Sequence, residues 1–143
     1  MRLKPITIEE IKHITHTLAT ETMSWDEPIP EFDSRYPEKL ESCVITPFQT
    51  FDRKLLFHGL VEKAAILFYL IIKDHPFQNG NKRLAVTILL VFLFINGYWI
   101  KMDAQTLYNR AVWVASSPPD AKEEAVQYIE RFIKSSLIKI TKN

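Results

Sequence analysis

Between Arg83 and Lys101 run seventeen residues without a charge, LAVTILLVFLFINGYWI. No other stretch constrains the fold as tightly, because so much apolar side chain has to leave water. A bilayer span needs roughly 17–25 mostly apolar residues, so this run sits at the lower limit. It also holds Thr87 and an Asn96-Gly97 pair that reads as a helix stop, which would end a span before it crossed. The other environment is the centre of a bundle, where a helix apolar on all sides is wrapped by amphipathic neighbours. The run therefore reads as a core helix. The expected fold class is all-α, a compact bundle of about six helices with a short extended flap before the central ones.

The rest of the chain supplies the wrapping. Its 143 residues are enough for one domain, expected over 1–143, with a sizeable core. Thr7 and Glu10 form a T-x-x-E capping box ahead of Ile8, Ile11, Ile14, Thr15 and Leu18 on one face, and this helix should fade around residues 22–24. Prolines 28, 30 and 37 mark residues 25–37 as loop. Pro37 can open a short helix to Ser42, and the β-branched Val44-Ile45-Thr46 before Pro47 suggests a short extended edge. Further helices are expected over 60–74, from the loop after it to Ile95, from the Asp103 cap to about Ala115, and from Ser117-Pro118-Pro119 to about Ile140.

Charge and cysteine usage exclude some functions. Eighteen Lys and Arg against seventeen Asp and Glu leave a net charge of +1, so no global field recruits nucleic acid or an anionic membrane, and neither is expected as a partner. The single cysteine, Cys43, rules out an internal disulfide framework and fits a reducing compartment. The opening MRLKPITIEE lacks the apolar stretch of a secretion signal, so the expected location is cytoplasmic.

The chemistry concentrates in residues 75–83, HPFQNGNKR, between the two most apolar helices. Pro76 drives His75 out of the helical region, so a helix must end there. Gly80 gives a permissive backbone, Asn81 is a good helix-starting residue, and Lys82 and Arg83 fall in the first turn of the central helix. Two cations at the positive end of a helix dipole are unfavourable unless an anion sits beside them. A glycine, a helix N-terminus and two cations together hold phosphate well. His75, a few residues upstream, is then placed to move a proton next to that phosphate.

This loop resembles the signature of the Fic superfamily: histidine, phenylalanine two residues on, an acid at the fifth place, Gly-Asn, then glycine or lysine, and arginine. Lys82 at the eighth place makes it similar to the death-on-curing, or Doc, toxin branch. LESCVITPFQTF (40–51) looks like the flap of that family, and GLVEKAAILFYLIIKDHPF (59–77) and VFLFINGYWI (91–100) look like the helices on either side of the loop. The resemblance implies transfer of a phosphate-containing group from a nucleotide to a protein hydroxyl. In it His75 would be the general base. Gly80, Asn81 and the following amides would cradle the phosphates, Lys82 and Arg83 would neutralise the transferring group, and Phe77 would turn inward.

With lysine eighth and Val86 rather than arginine twelfth, the resemblance implies movement of the terminal phosphoryl group, with ATP and Mg²⁺ as cofactors. The implied partners are a target translation factor of the elongation factor Tu kind and a protein antitoxin. Nucleotidyl (AMP) transfer, or a degenerate module that binds without turnover, are the alternatives. One departure stands out: Asn79 occupies the place of the acid that would hold Mg²⁺. An amide oxygen can ligate Mg²⁺, but a hard cation with few protein ligands relies on charge: either metal binding is weaker, or another carboxylate such as Asp74 helps, or the protein is a poor enzyme, and weak but real Mg²⁺ use at Asn79 is the expectation. Thr17 to Glu21 follows most of the family's inhibitory pattern, but Thr22 replaces its last residue, so any inhibitor should be a separate chain. His13 and His16, three apart, read as a solvated face, and Tyr108, Trp99 and Trp113 as core or interface.

Overall fold

A computed structural model describes residues 2–18 and 31–140. In chain order the helices are α1 (Ile8–Leu18), α2 (Pro37–Ile45), α3 (Leu60–Lys73), α4 (Asn81–Ile95), α5 (Ala104–Ser116) and α6 (Lys122–Ser136). Between α2 and α3 lie the two-residue strands β1 (Thr50–Phe51) and β2 (Lys54–Leu55). Strands β3 (Tyr98–Ile100) and β4 (Leu137–Lys139) follow α4 and α6. The fold is all-α with two small antiparallel two-stranded sheets, β1–β2 a hairpin and β3–β4 a long-range pairing.

Helices α3 and α4 form the centre. Every residue of α3 from Lys63 to Ile72 is buried, and Leu84, Ala85, Ile88, Leu89, Phe92 and Leu93 of α4 are inaccessible to water. They pack on each other, with α6 and α5 covering α3, and α5 and α1 covering α4. The uncharged run is not wrapped on every side, however: Thr87, Leu90 and Val91 are only partly buried and Phe94 is 57 % exposed, so α4 is a core helix with one open apolar face. Among the described residues, no helix is long and apolar enough to cross a membrane.

Local signals set most boundaries. In the α1 capping box, Thr7 N–H donates to Glu10 Oε1 at 2.9 Å, and Glu10 N–H donates to Thr7 Oγ1 at 3.1 Å. Ile11, Ile14 and Thr15 face the core; the expected fading at 22–24 lies outside the described residues. Asp103 caps α5 by accepting the Thr106 N–H at 2.7 Å. The α4 helix stops at Asn96-Gly97, where Gly97 takes a left-handed φ of 85°.

Two expectations fail. Residues 44–46 are not extended: Val44 and Ile45 end α2, and Thr46–Phe48 forms a 3₁₀ turn. The run PEKLESCVI puts Leu40, Cys43 and Val44 at i, i+3 and i+4, all buried, and that helical face outweighs β-branched propensity. The flap is instead the β1–β2 hairpin, turned by Asp52 (φ 52°) and Arg53 (φ 64°) with no glycine. Likewise, α6 ends at Ser136 rather than near Ile140. Residues 137–139 pair with 98–100 as a second sheet, extended by Ile140 N–H donating to the Gly97 carbonyl at 2.9 Å.

The flap hairpin is exposed throughout, so its root holds it. Phe48 packs edge-on against Phe92 in the core. Lys63, almost wholly buried in α3, donates from Nζ to the Phe57 carbonyl and lies 5.1 Å from the Phe48 ring centre. Burial lowers its pKa, with the neighbouring Glu62 carboxylate opposing part of that effect.

Candidate functional site

Helix α3 ends as its residues demand. Asp74 closes the last turn by donating its N–H to the Leu70 carbonyl at 2.9 Å, and His75 then takes a left-handed φ of 50°. Glycine usually occupies that place; an L-residue there costs roughly 1–2 kcal/mol. The strain falls on the one imidazole of the loop, and it turns the chain so that His75 stays exposed while Pro76 and Phe77 go inward.

Three contacts hold the loop in that shape. The Pro76 carbonyl accepts the Tyr36 N–H at 2.7 Å, Phe77 pairs with Arg35 across a single bridge, and Gln78 N–H donates to the Ser34 carbonyl at 3.3 Å. Residues 34–36 thus back the loop as one strand backs another. Phe77, as expected, is fully buried and anchors it; truncation to alanine would cost roughly 3–5 kcal/mol.

Asn81 closes the turn. Its Oδ1 accepts the Phe77 N–H at 3.0 Å and its Nδ2 donates to the Phe77 carbonyl at 2.9 Å. The side chain expected to start the helix and cradle phosphate is therefore occupied in pinning the loop, which leaves the backbone of Asn81 for any ligand. The N-cap is Gly80, with φ 74° and no side chain to satisfy the first-turn N–H groups of α4. Nor does that turn contain an acidic residue.

The result is a cleft of about 220 Å³ walled by His75, the 78–81 turn, Lys82 and, from α5, Ala115. Lys73 fixes the far wall: its Nζ donates to the carbonyls of Ala115 at 3.3 Å and Ser117 at 2.5 Å, a cation on the negative end of α5. Of the two expected cations, Lys82 is half-buried on the wall. Arg83 is 5 % exposed and is not among the residues that wall the cleft. The volume is below the roughly 300–1,000 Å³ usual for small-molecule pockets, so it fits a phosphate chain better than a whole nucleotide.

Other chemistries are poorly supplied here. Burial pushes the Cys43 thiol up to about 12, with the Asp74 charge adding to this and Lys39 opposing it, so the cysteine is no nucleophile at neutral pH. For a divalent cation the loop offers the neutral, exposed amides of Gln78 and Asn79. Among the described residues, no three His, Cys, Asp or Glu side chains come together to hold a metal. The chain alone fits a hard cation poorly, and phosphate oxygens would have to complete its shell.

His13 and His16 are exposed on α1, with His13 Nε2 3.4 Å from Thr17 Oγ1. Tyr108 is buried, whereas Trp99 and Trp113 are partly exposed. The inhibitory-type pattern from Thr17 to Glu21 runs beyond the described residues after Leu18. The contributions of Lys73, Ala115 and residues 34–36 have no local signature in the sequence, since each acts across a long separation. The family model described as Fic/DOC matches residues 5–93. No curated protein and no solved structure matches the chain.

Proposed function

This chain belongs to the Fic/DOC family, whose members typically transfer nucleotide-derived groups to proteins, and we propose that it moves the terminal phosphoryl group of ATP to a hydroxyl of a target protein. The observation that carries the reading is the meeting, on one small cleft, of a strained exposed imidazole and a lysine in the first turn of a glycine-capped helix.

The acceptor oxygen bonds to the terminal phosphorus as that phosphorus parts from the oxygen bridging it to the β-phosphate. The hydroxyl proton passes to the His75 imidazole, and ADP leaves with the bonding pair. Lys82, on the cleft wall, and the first-turn amides of α4 oppose the charge on the moving group, with the buried Arg83 adding its charge from behind that wall. Such a transfer asks for alignment and fixed positive charge more than for covalent chemistry; the pinned 75–81 loop supports the first and Lys82 at the start of α4 the second. Mg²⁺ would offset phosphate charge when bound, with Asn79 as its protein ligand and the nucleotide and water supplying the remainder. Lysine rather than glycine at position 82 favours phosphoryl over nucleotidyl transfer.

In this reading the protein is a toxin, restrained by a protein antitoxin, and its target is a translation factor of the elongation factor Tu kind. Incubation of the purified chain with a cell lysate and ATP labelled at the γ or the α position separates the possibilities. Label entering a protein from γ alone supports the proposal; label from α points to nucleotidyl transfer. The neutral Asn79 favours one second reading, a module that binds nucleotide without turnover. Bound ATP with no label from either position would support that instead.

A further inference from the structure

The phosphate cleft offers little that could read a base. Its walls are His75, the 78–82 turn, Ala115 and Ile72; none is aromatic, and Ile72 is 1 % exposed. A nucleoside is held mainly by apolar and aromatic side chains, and at about 220 Å³ the cleft is too small to take one along with its phosphates. We infer that the donor is recognised through its phosphate chain alone, so that an inorganic polyphosphate, tripolyphosphate being the simplest counterpart of ATP, donates its terminal phosphoryl group to the same acceptor hydroxyl. The inference rests on the phosphoryl-transfer reading and widens its donor class.

The surroundings do not make up the deficit. The other cleft that His75 walls, toward α2, is lined by Glu38, Lys39, Ser42, Lys73 and Asp74, again without an aromatic ring. Tyr36 is exposed and tied to the loop through its N–H on the Pro76 carbonyl, but it walls neither cleft, and Lys39 Nζ lies 5.2 Å from its ring centre. Gln78 and Asn79 are exposed amides; each carries both donor and acceptor, so it suits any base edge and rejects none. The step also balances without a nucleoside. The acceptor oxygen bonds to the terminal phosphorus as that phosphorus parts from its bridging oxygen. The hydroxyl proton passes to His75, and pyrophosphate leaves with the bonding pair where ATP would release ADP. Tripolyphosphate has a further charged oxygen in place of the ribose ester, and Lys82 at the glycine-capped start of α4 favours that charge.

The test compares terminally labelled tripolyphosphate with γ-labelled ATP, each with Mg²⁺, on a desalted cell lysate; hexokinase and glucose in the tripolyphosphate arm consume any ATP formed there. The expected result is the same labelled protein from both donors, a donor kcat/KM for tripolyphosphate within roughly tenfold of that for ATP, and no label from either in His75→Ala. A site that reads a base by hydrogen bonds rejects a donor lacking it by roughly 10⁴–10⁵. Label from ATP with a loss beyond tenfold for tripolyphosphate would overturn the inference and leave the transfer reading standing. Tyr36→Ala checks the one exposed ring tied to the loop: KM for both donors should stay unchanged, and a rise for ATP alone would mark a base platform and overturn the inference as well. No label from either donor, or label from the α position of ATP, would instead remove the transfer reading, and the inference with it.

Discussion

The two ends of α4 are built to opposite rules. At the C-terminus the carbonyls of Phe92, Leu93 and Phe94 are all matched by Asn96 and Gly97. The Asn96 amide donates to the carbonyls of Lys4 and Phe92, both at 2.9 Å, and accepts the Lys4 N–H at 2.6 Å, while Gly97 turns the chain away. At the N-terminus the cap is a glycine without a side chain, the first turn holds no acid, and Lys82 and Arg83 stand where the helix dipole is already positive. One end completes the fold. The other brings two cations and no acid of its own first turn to the positive end of the helix. The N-terminus of α5 is the internal control: there Asp103 supplies the missing anion, and the Thr106 N–H it accepts holds its carboxyl below the ordinary range.

The contrast can be broken from either side. The largest effect should follow His75→Ala, which removes the base and should lower protein labelling roughly 10²–10⁴-fold with ATP affinity retained. Next comes Asn96→Ala at the other end, which strands the Lys4 and Phe92 backbone groups. It should cost roughly 1–3 kcal/mol in urea unfolding and leave catalysis per folded molecule unchanged.

A smaller effect, of opposite sign, should come from His75→Gly. Relief of about 1–2 kcal/mol of left-handed strain, less the ~0.5–1 kcal/mol that glycine loses in chain entropy, predicts a net gain of about 0.5–1 kcal/mol with activity gone. Smallest is the pH response of the control. The Asp103 pKa is lowered on folding, so its contribution is present above its unfolded value of 3.8 and is lost as pH falls through the folded one. Asp103→Asn should flatten that part of the acid limb in a stability–pH series by lowering stability slightly at neutral pH, where the charge contribution is lost although Asn still caps the helix, and leaving it unchanged at the acid end.

What the sequence disclosed was mostly local. The Thr7–Glu10 box, the Asn96-Gly97 stop and the inward Phe77 each depend on residues within a few positions. The 44–46 segment misled because β-branched propensity was weighed without the buried Leu40/Cys43/Val44 face. The β3–β4 pairing joins residues too far apart in sequence for any turn signal to announce it, so the end of α6 was misplaced. In the site, the histidine, glycine and lysine were legible from their spacing, but the division of labour was not. Asn81 serves the loop through Phe77, Arg83 is buried, and the backing by 34–36 and the brace from Lys73 to α5 are long-range contacts.

Everything functional here depends on the α4 N-terminus gripping polyphosphate, and inorganic tripolyphosphate tests that without a nucleoside or an acceptor. Calorimetric titration should show it binding in competition with ATP, weakening as salt rises, and losing roughly 10–100-fold in affinity in Lys82→Ala, the range for a hydrogen bond to a charged group. No binding, or binding that Lys82→Ala leaves unchanged, would contradict the account.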